Sequence, residues 1–338
     1  MAMVDITIRG AGIFGLSVGW ACAMRGASVR VVDPGGVGAG ASGGIVGALA
    51  PHVPENWNAK KAFQLDSLLM AERFWQRVEE ASCLSAGYGR LGRLQPIADE
   101  HALGLARARA ETAKPLWQGR AAWQVIRADT AGDWAPRSAS GWLIHDTLSA
   151  RMFPRHACAA LAAALRAKGT EIVAEHDPEG KTLWATGEAG LAEIGGMGIK
   201  GQAALLRLAM PEAPQLFADT LHIIPHANGT VAIGSTNERD YTAPDTTDSQ
   251  LDDIINRARA ALPMLQDAPI LERWAGVRPR SASRAPVLGN HPTRLGEYIA
   301  NGGFKIGFGM APKVAEVMAE LMLNGRDTIP DDFKAQKP

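Results

Sequence analysis

Ile6-Thr7-Ile8-Arg9-Gly10-Ala11-Gly12-Ile13-Phe14-Gly15 opens the segment on which the fold turns; an apolar stretch follows, and then Val29-Arg30-Val31-Val32-Asp33. The β-branched run predicts a strand that breaks at Gly10. Leu16, Val18, Trp20, Ala21 and Met24 recur at helical spacing, and Gly26 closes that helix. A second strand ends on Asp33. The three glycines play separate parts. Gly10 permits the tight turn, Gly12 admits a pyrophosphate to the backbone, and Gly15 lets helix pack on strand. The helix start then offers free N–H groups and the positive end of its dipole to phosphate. A carboxylate at Asp33 is placed to accept ribose hydroxyls. The order strand, glycine turn, helix, strand, acid is much more specific than the glycines alone.

With 338 residues the chain can form two domains, or one large domain with an insertion. Thirty-five basic residues balance 35 acidic ones, so no overall field draws it to nucleic acid or to an anionic membrane. Cys22, Cys83 and Cys158 are scattered without metal-type spacing, and no metal site is expected. Cys22 and Cys158 lie in alanine-rich apolar stretches and read as small core residues. No apolar run reaches bilayer length and no signal peptide is visible, which points to a cytoplasmic protein.

Downstream of Asp33, residues 34–44 contain so many glycines that they read as backbone lying close to a ligand, with Ser42 able to donate to a phosphate. Residues 60–82 read as an amphipathic helix. Residues 88–144 read as strands and short helices, with Trp117, Trp123, Trp134 and Trp142 as packing residues. A helix over 154–168 leads to a short strand at 171–174 and another at 181–187. Further strands are expected at 203–208, 220–225, 230–234 and 297–300, and helices at 249–261 and from about Pro312 to Leu323, the last capped by Asn324-Gly325.

Several ordered motifs together resemble one family. They are Gly10–Gly15 with Asp33; Ala41-Ser42-Gly43-Gly44 leading to Gly47-Ala48-Leu49; Ala185-Thr186-Gly187; Gly201-Gln202; Gly276-Val277-Arg278-Pro279; and Gly303-Phe304-Lys305-Ile306-Gly307. In this order they resemble the D-amino acid oxidase superfamily of FAD-dependent oxidoreductases, especially glycine oxidases. The resemblance implies an α/β fold: a Rossmann-like FAD-binding domain of the glutathione reductase type 2, with an inserted α+β mixed-sheet substrate domain. The expected FAD-binding domain is discontinuous, over 1–50, 145–202 and 276–338. The substrate domain then takes 51–144 and 203–275.

The resemblance also implies non-covalent FAD, held by Gly10, Gly12, Ile13, Phe14, Gly15, Asp33, Ala41, Ser42, Gly187, Lys305, Ile306, Gly307 and Phe308, with the backbone of Val173 meeting the adenine. Helix N–H groups after residue 303 would face the flavin pyrimidine edge and favour the negative charge of the reduced ring. Arg278 matches the arginine that grips the substrate carboxylate, which its planar guanidinium can hold in a bidentate fork. Lys305 replaces an arginine of glycine oxidases, whereas sarcosine oxidase-like members carry Gly-Phe-Lys as here. His222 falls where relatives often place a tyrosine; it can hydrogen-bond a carboxylate or amine, or serve as a structural strand histidine. His52 is a weaker candidate.

The expected reaction is hydride transfer from the α-carbon of a small amino acid or amine (glycine, sarcosine or D-amino acid type) to flavin N5. It leaves an imine that water hydrolyses, needs no acid–base dyad, and passes the electrons to oxygen or another acceptor. Three departures stand out: a short link between 174 and 181, Ser283 where relatives often have aspartate, and no cysteine near the closing segment to attach flavin covalently. The spacing around Ala41–Leu49 also resembles the oxidase domain of a bacterial tRNA wobble-uridine enzyme. A modified-tRNA amine, or a flavin-bound subunit needing a partner, therefore stand as alternatives. An NAD-dependent dehydrogenase would be excluded by a yellow protein. Oligomeric state is left open.

Overall fold

The computed structural model describes residues 3–335. The opening unit forms as its spacing predicts: strand β1 (Ile6–Arg9), helix α1 (Ile13–Ala23) and strand β2 (Val29–Val32). Strand β3 (Ala48–Leu49) and helix α2 (Ala59–Ser82) follow. Next are β4 (Arg93–Pro96), α3 (Glu100–Trp117), β5 (Trp123–Arg127), β6 (Trp142–Asp146) and β7 (Ala150–Arg151). The middle of the chain holds α4 (Pro154–Ala167), β8 (Glu171–Val173), β9 (Lys181–Trp184), the short α5 (Gly187–Ala192) and β10 (Met197–Arg207). Then come β11 (Gln215–Ala218), β12 (Leu221–Pro225), β13 (Thr230–Gly234) and α6 (Ser249–Ala261). The chain closes with β14 (Ile270–Arg280), β15 (Val287–Asn290), β16 (Tyr298–Asn301) and α7 (Gly307–Asn324).

A six-stranded sheet has the order β15-β16-β9-β1-β2-β8, parallel except for β15. Strand β1 pairs with β2 on one side and with β9 on the other, so the sheet reverses direction of growth there. Such a switch point leaves a crevice at the carboxyl ends of the strands. Helix α1 is buried nearly all round, between the sheet, α4 and α7. Two glycines make the crossover fit. Gly10 has φ +112°, and a Cβ there would stand 2.2 Å from the Ala185 carbonyl oxygen. A Cβ on Gly15 would stand 1.9 Å from the Gly10 oxygen and 3.2 Å from Ile8 Cγ2.

An eight-stranded mixed sheet has the order β14-β10-β13-β12-β11-β4-β6-β5. Side chains alternate between its faces. Ala204, Leu206, Leu221, Ile223, Val231 and Ile233 pack with Leu251, Ile254 and Ile255 of α6. Their neighbours Ala203, Leu205, Ile224 and Ala232 pack on the opposite face with Ile45. That alternation turns His222, between Leu221 and Ile223, away from α6.

The structure revises several local expectations. Residues 100–117 form one 18-residue helix, with the Asp99 carboxylate capping its start at Ala102 N–H, 2.8 Å away. Helix α7 begins at Gly307, five residues before Pro312. The proline ring removes only one helix hydrogen bond here and matches helical φ, so it sits inside the helix rather than opening it. Gly325 ends α7 in the left-handed conformation, as expected. Strands β10 and β14 each run 11 residues as an antiparallel pair, so the expected domain limits at 202/203 and 275/276 fall within strands. Cys22 and Cys158 are buried in the core. No helix among the described residues is long and apolar enough to cross a membrane.

Candidate active site

The carboxyl ends of all four central parallel strands open into one cavity of about 950 Å³, lined by Arg9 and Gly10, Val32 and Asp33, Trp184 and Ala185, and Ala300 and Asn301. From there it continues past Ala41, Ser42 and Gly47 to Trp274, Arg278, Phe304 and Lys305, and on to Phe217, His222 and Ser235 of the eight-stranded sheet. A switch-point crevice and a polar chamber are thus one space.

Two helices start at this cavity. Gly12, Ile13 and Phe14 of the α1 start line it, and the first turn of α1 carries no acidic side chain. Ser42 Oγ accepts from Ile13 N–H at 3.0 Å. Asp33 Oδ2 accepts from Ala11 N–H at 2.7 Å and Oδ1 from Gly35 N–H at 2.9 Å, which fixes the carboxylate at the cavity wall. Gly307 and Phe308 bring in the start of α7, which has no side-chain cap and no acid in its first turn. Both ends therefore favour negative charge in the cavity.

Arg278 lies near the end of β14, opposite Ile199 of β10. Its Nη1 donates to Ser235 Oγ at 2.7 Å, and Nη2 to Thr236 O at 2.7 Å and Lys200 O at 3.3 Å. All three acceptors are neutral. The guanidinium lies so close over the Gly201 backbone that a Cβ there would meet Nη2 at 2.4 Å, which explains the glycine. Burial pushes the arginine down to about 10, against the opposing pull of Glu238, and it stays charged at neutral pH.

Behind Arg278 stands a buried polar cluster. Lys200 Nζ pairs with Glu238 at 3.5 Å, and Gln202 Nε2 donates to Glu238 at 3.0 Å and to Asp248 at 2.9 Å. The Thr236 hydroxyl donates to Glu238 as well. These groups fix the backbone that holds the guanidinium.

His222 packs its ring on Phe217, 4.8 Å between centroids, and its Nδ1 is buried without a partner among the described residues. Burial, then the charges of Arg93, Lys305 and Arg278, push it down to about 3, so it is neutral at working pH. Lys305 is exposed overall, yet partial burial of its ammonium and the charges of Arg278 and Arg284 hold it below the usual lysine range. Its ammonium lies 5.6 Å from the Phe304 ring centroid.

Of the residues singled out by sequence, Gly10, Gly12, Ile13, Phe14, Asp33, Ala41, Ser42, Gly187, His222, Arg278, Lys305, Gly307 and Phe308 meet at the cavity. Gly15 lies beneath it as a packing glycine. Val173 and Ile306 are not part of the lining; the Val173 carbonyl accepts from Asp33 N–H at 3.0 Å. His52 hydrogen-bonds Gln64 outside the lining. Sequence reasoning did not point to Ser235, Phe217 or Trp274, nor to the cluster around Glu238.

Buried His226 and half-buried His222 give a pH prediction. His222 is pushed down to about 3 and His226 to about 4, both chiefly by burial, from an ordinary value of 6.5. Below pH 6.5 the unfolded chain therefore binds more protons than the native one, and stability falls with pH until those lower values are reached. We expect the urea midpoint to drop between pH 7.5 and pH 5.5, and the drop to shrink in His226→Gln. An equal drop in that variant would contradict the assignment to His226.

A family model described as FAD dependent oxidoreductase (DAO) matches residues 5–321. The bifunctional protein ThiO/ThiG of Nostoc sp. is 26% identical over 94% of this chain and 52% of its own length, so the chain spans about half of that relative. The putative thiamine biosynthesis oxidoreductase ThiO of Rhizobium etli is 28% identical over 94% of this chain and 96% of its own length. Among solved structures, glycine oxidase from Bacillus cereus superposes with TM-score 0.83, covering 99% of both chains at 20% identity; that likeness is one of fold.

Proposed function

The chain belongs to the family of FAD-dependent oxidoreductases, and from that premise we propose that it oxidises a small amine or amino acid whose carboxylate is held by Arg278. The single observation behind this reading is the continuity of the cavity from the β1 glycine turn to Arg278.

The residues present fit FAD. The α1 start, with its glycine cap and no acid in its first turn, suits a pyrophosphate. Asp33 suits ribose hydroxyls, Ser42 lies above Gly12, and the uncapped start of α7 suits a flavin edge that gains negative charge. We place FAD against Gly12, Ile13, Phe14, Asp33, Ala41, Ser42, Gly307 and Phe308. When bound, FAD supplies a two-electron acceptor for the hydride that leaves the substrate α-carbon.

The chain's own side chains bind and orient. Arg278 is held in one place by three neutral acceptors and leaves its charge for a carboxylate. Neutral His222 offers a nitrogen to the amine and takes no proton permanently at working pH. Phe217, Trp274 and Phe304 supply apolar walls that limit water. No acid–base dyad is needed if the amine binds neutral, so positioning carries most of the rate.

The test is turnover of a panel holding glycine, sarcosine, proline and the D- and L-amino acids, with oxygen and with an artificial electron acceptor. Formation of the matching oxo acid from one class supports the reading. A yellow protein that turns over none of them contradicts it and directs attention to a macromolecule-borne amine or a partner-dependent subunit.

A further inference from the structure

Arg9 ends β1, one residue before the glycine turn. Ile8 packs against Gly15 and Gly19 of α1, so alternation along the strand puts Thr7 and Arg9 on the opposite face of the sheet. The chain between β8 and β9 is only the link 174–180, which Thr7 ties down by donating its hydroxyl to Glu179 O at 2.7 Å. In register, Arg9 stands between Val32, the residue before Asp33, and Trp184, the residue before Ala185. Arg9, Asp33 and Trp184 all line the cavity.

The Arg9 side chain has a fixed seat. Its Cζ lies 5.3 Å from the centroid of the Trp184 ring, within cation–π range, and Nη2 donates to His176 O of the link at 3.3 Å. The indole is anchored in turn: Nε1 donates to Glu297 at 2.5 Å, and Arg294 Cζ lies 4.0 Å from the ring centroid. What Arg9 lacks is an anion. Arg30 pairs with Glu171 and Glu179, and Arg294 with Glu193, each within 3 Å. Arg9 has no carboxylate at ion-pair distance among the described residues. Asp33 and Glu188 also line the cavity, and neither pairs with it.

A half-buried guanidinium keeps its full charge and five N–H donors, and here one nitrogen is engaged among the described residues. The start of α1 offers phosphate only backbone N–H groups and a partial charge. Two ionised phosphates gain more from a full positive charge, and a planar guanidinium matches phosphate oxygens with a two-donor fork. Resting on the placement of FAD given above, we infer that Arg9 is a cofactor-binding residue. Seated on Trp184, it pairs with the pyrophosphate of FAD and so selects a flavin that carries the adenosine diphosphate half.

The experiment measures FAD release on dilution of the loaded protein, and displacement of FAD by ADP and by adenosine. It compares the wild type with Arg9→Met, Arg9→Lys and Asp33→Ala. Arg9→Met removes the charge and keeps a side chain long enough to pack on Trp184. It should raise the dissociation constants of FAD and ADP by about tenfold, and that of adenosine by less than about threefold. Arg9→Lys should recover most of the FAD affinity. Raising NaCl from about 50 to about 500 mM should weaken FAD binding in the wild type and clearly less in Arg9→Met. Asp33→Ala tests the placement itself and should weaken ADP and adenosine alike. Unchanged FAD and ADP binding in Arg9→Met, with Asp33→Ala weakened, would overturn the inference alone. So would an equal loss of ADP and adenosine in Arg9→Met, because the guanidinium would then serve the adenine or the fold rather than the phosphates. Unchanged FAD binding in both Arg9→Met and Asp33→Ala would instead overturn the placement of FAD, and this inference with it.

Discussion

Arg278→Ala is expected to keep its flavin and to bind substrate about 2–5 kcal/mol more weakly, the scale for removing one partner of a buried charge pair. At 1.4 kcal/mol per tenfold, that is roughly a thirtyfold to several-thousandfold rise in the concentration needed for anaerobic flavin reduction. The effect is large because the guanidinium is fixed before substrate arrives. Ser235, Thr236 and Lys200 hold it, and the bare Gly201 backbone makes room for it. Neither Lys305 nor His222 offers a planar two-donor fork, so neither replaces it. Arg278→Lys should recover part of the attraction but not the orientation, with kcat falling further than binding. Because Arg278 lies away from the α1 glycine turn, flavin content is the control. Unchanged substrate affinity in Arg278→Ala would sink the assignment.

Gly15→Ala should have a comparably large effect at the other end of the cavity. The added methyl group would stand 1.9 Å from the Gly10 carbonyl oxygen, which belongs to backbone that cannot swing aside. To accommodate it, α1 must lift from β1, although α1 is also wedged against α4 and α7. Overpacking typically costs about 1–3 kcal/mol, and this site lies at the upper end because the clash is with backbone. Lifting α1 also moves the N–H groups of Ile13 and Phe14 from the cavity wall, so both stability and FAD retention should fall. Gly26→Ala is a useful contrast: its φ is +89°, but a methyl group there meets nothing within 4 Å. That variant should lose some stability through backbone strain and keep its FAD. Wild-type flavin content and melting temperature in Gly15→Ala would show that the helix does not need this close approach.

The dinucleotide unit is legible in the sequence because its determinants are local. The strand period, three glycines and a terminal acid lie within residues 6–33, and each acts on neighbours close in sequence. Later motifs are legible only as a set resembling a family, since none of them specifies a structure alone. What escapes is either a masked local signal or a non-local one. Pro312 reads as a helix opening, yet α7 starts at Gly307, where the glycine-rich segment offers no cap to read. Asp99 is a readable cap for α3, and the alanine-rich run after it is compatible with a long helix.

The support behind Arg278 is not readable from sequence at all. Lys200 and Gln202 lie on β10, Thr236 and Glu238 follow β13, and Arg278 is on β14. Only sheet pairing brings them together. The placement of His222 is partly readable, because Leu221 and Ile223 alternate with it and bury on the α6 side. That it is a neutral group facing two cations depends on strands and a loop distant in sequence.

The central claim is that flavin and the substrate carboxylate occupy one chamber, with Arg278 as the carboxylate's partner. The most direct measurement is a visible difference spectrum of the FAD-loaded protein, titrated with glycolate as a carboxylate lacking an amine. The wild type should show a saturable shift of the flavin bands, and Arg278→Met, with normal flavin content, should lose it. Equal shifts in both proteins, or no shift in the wild type, would contradict the claim.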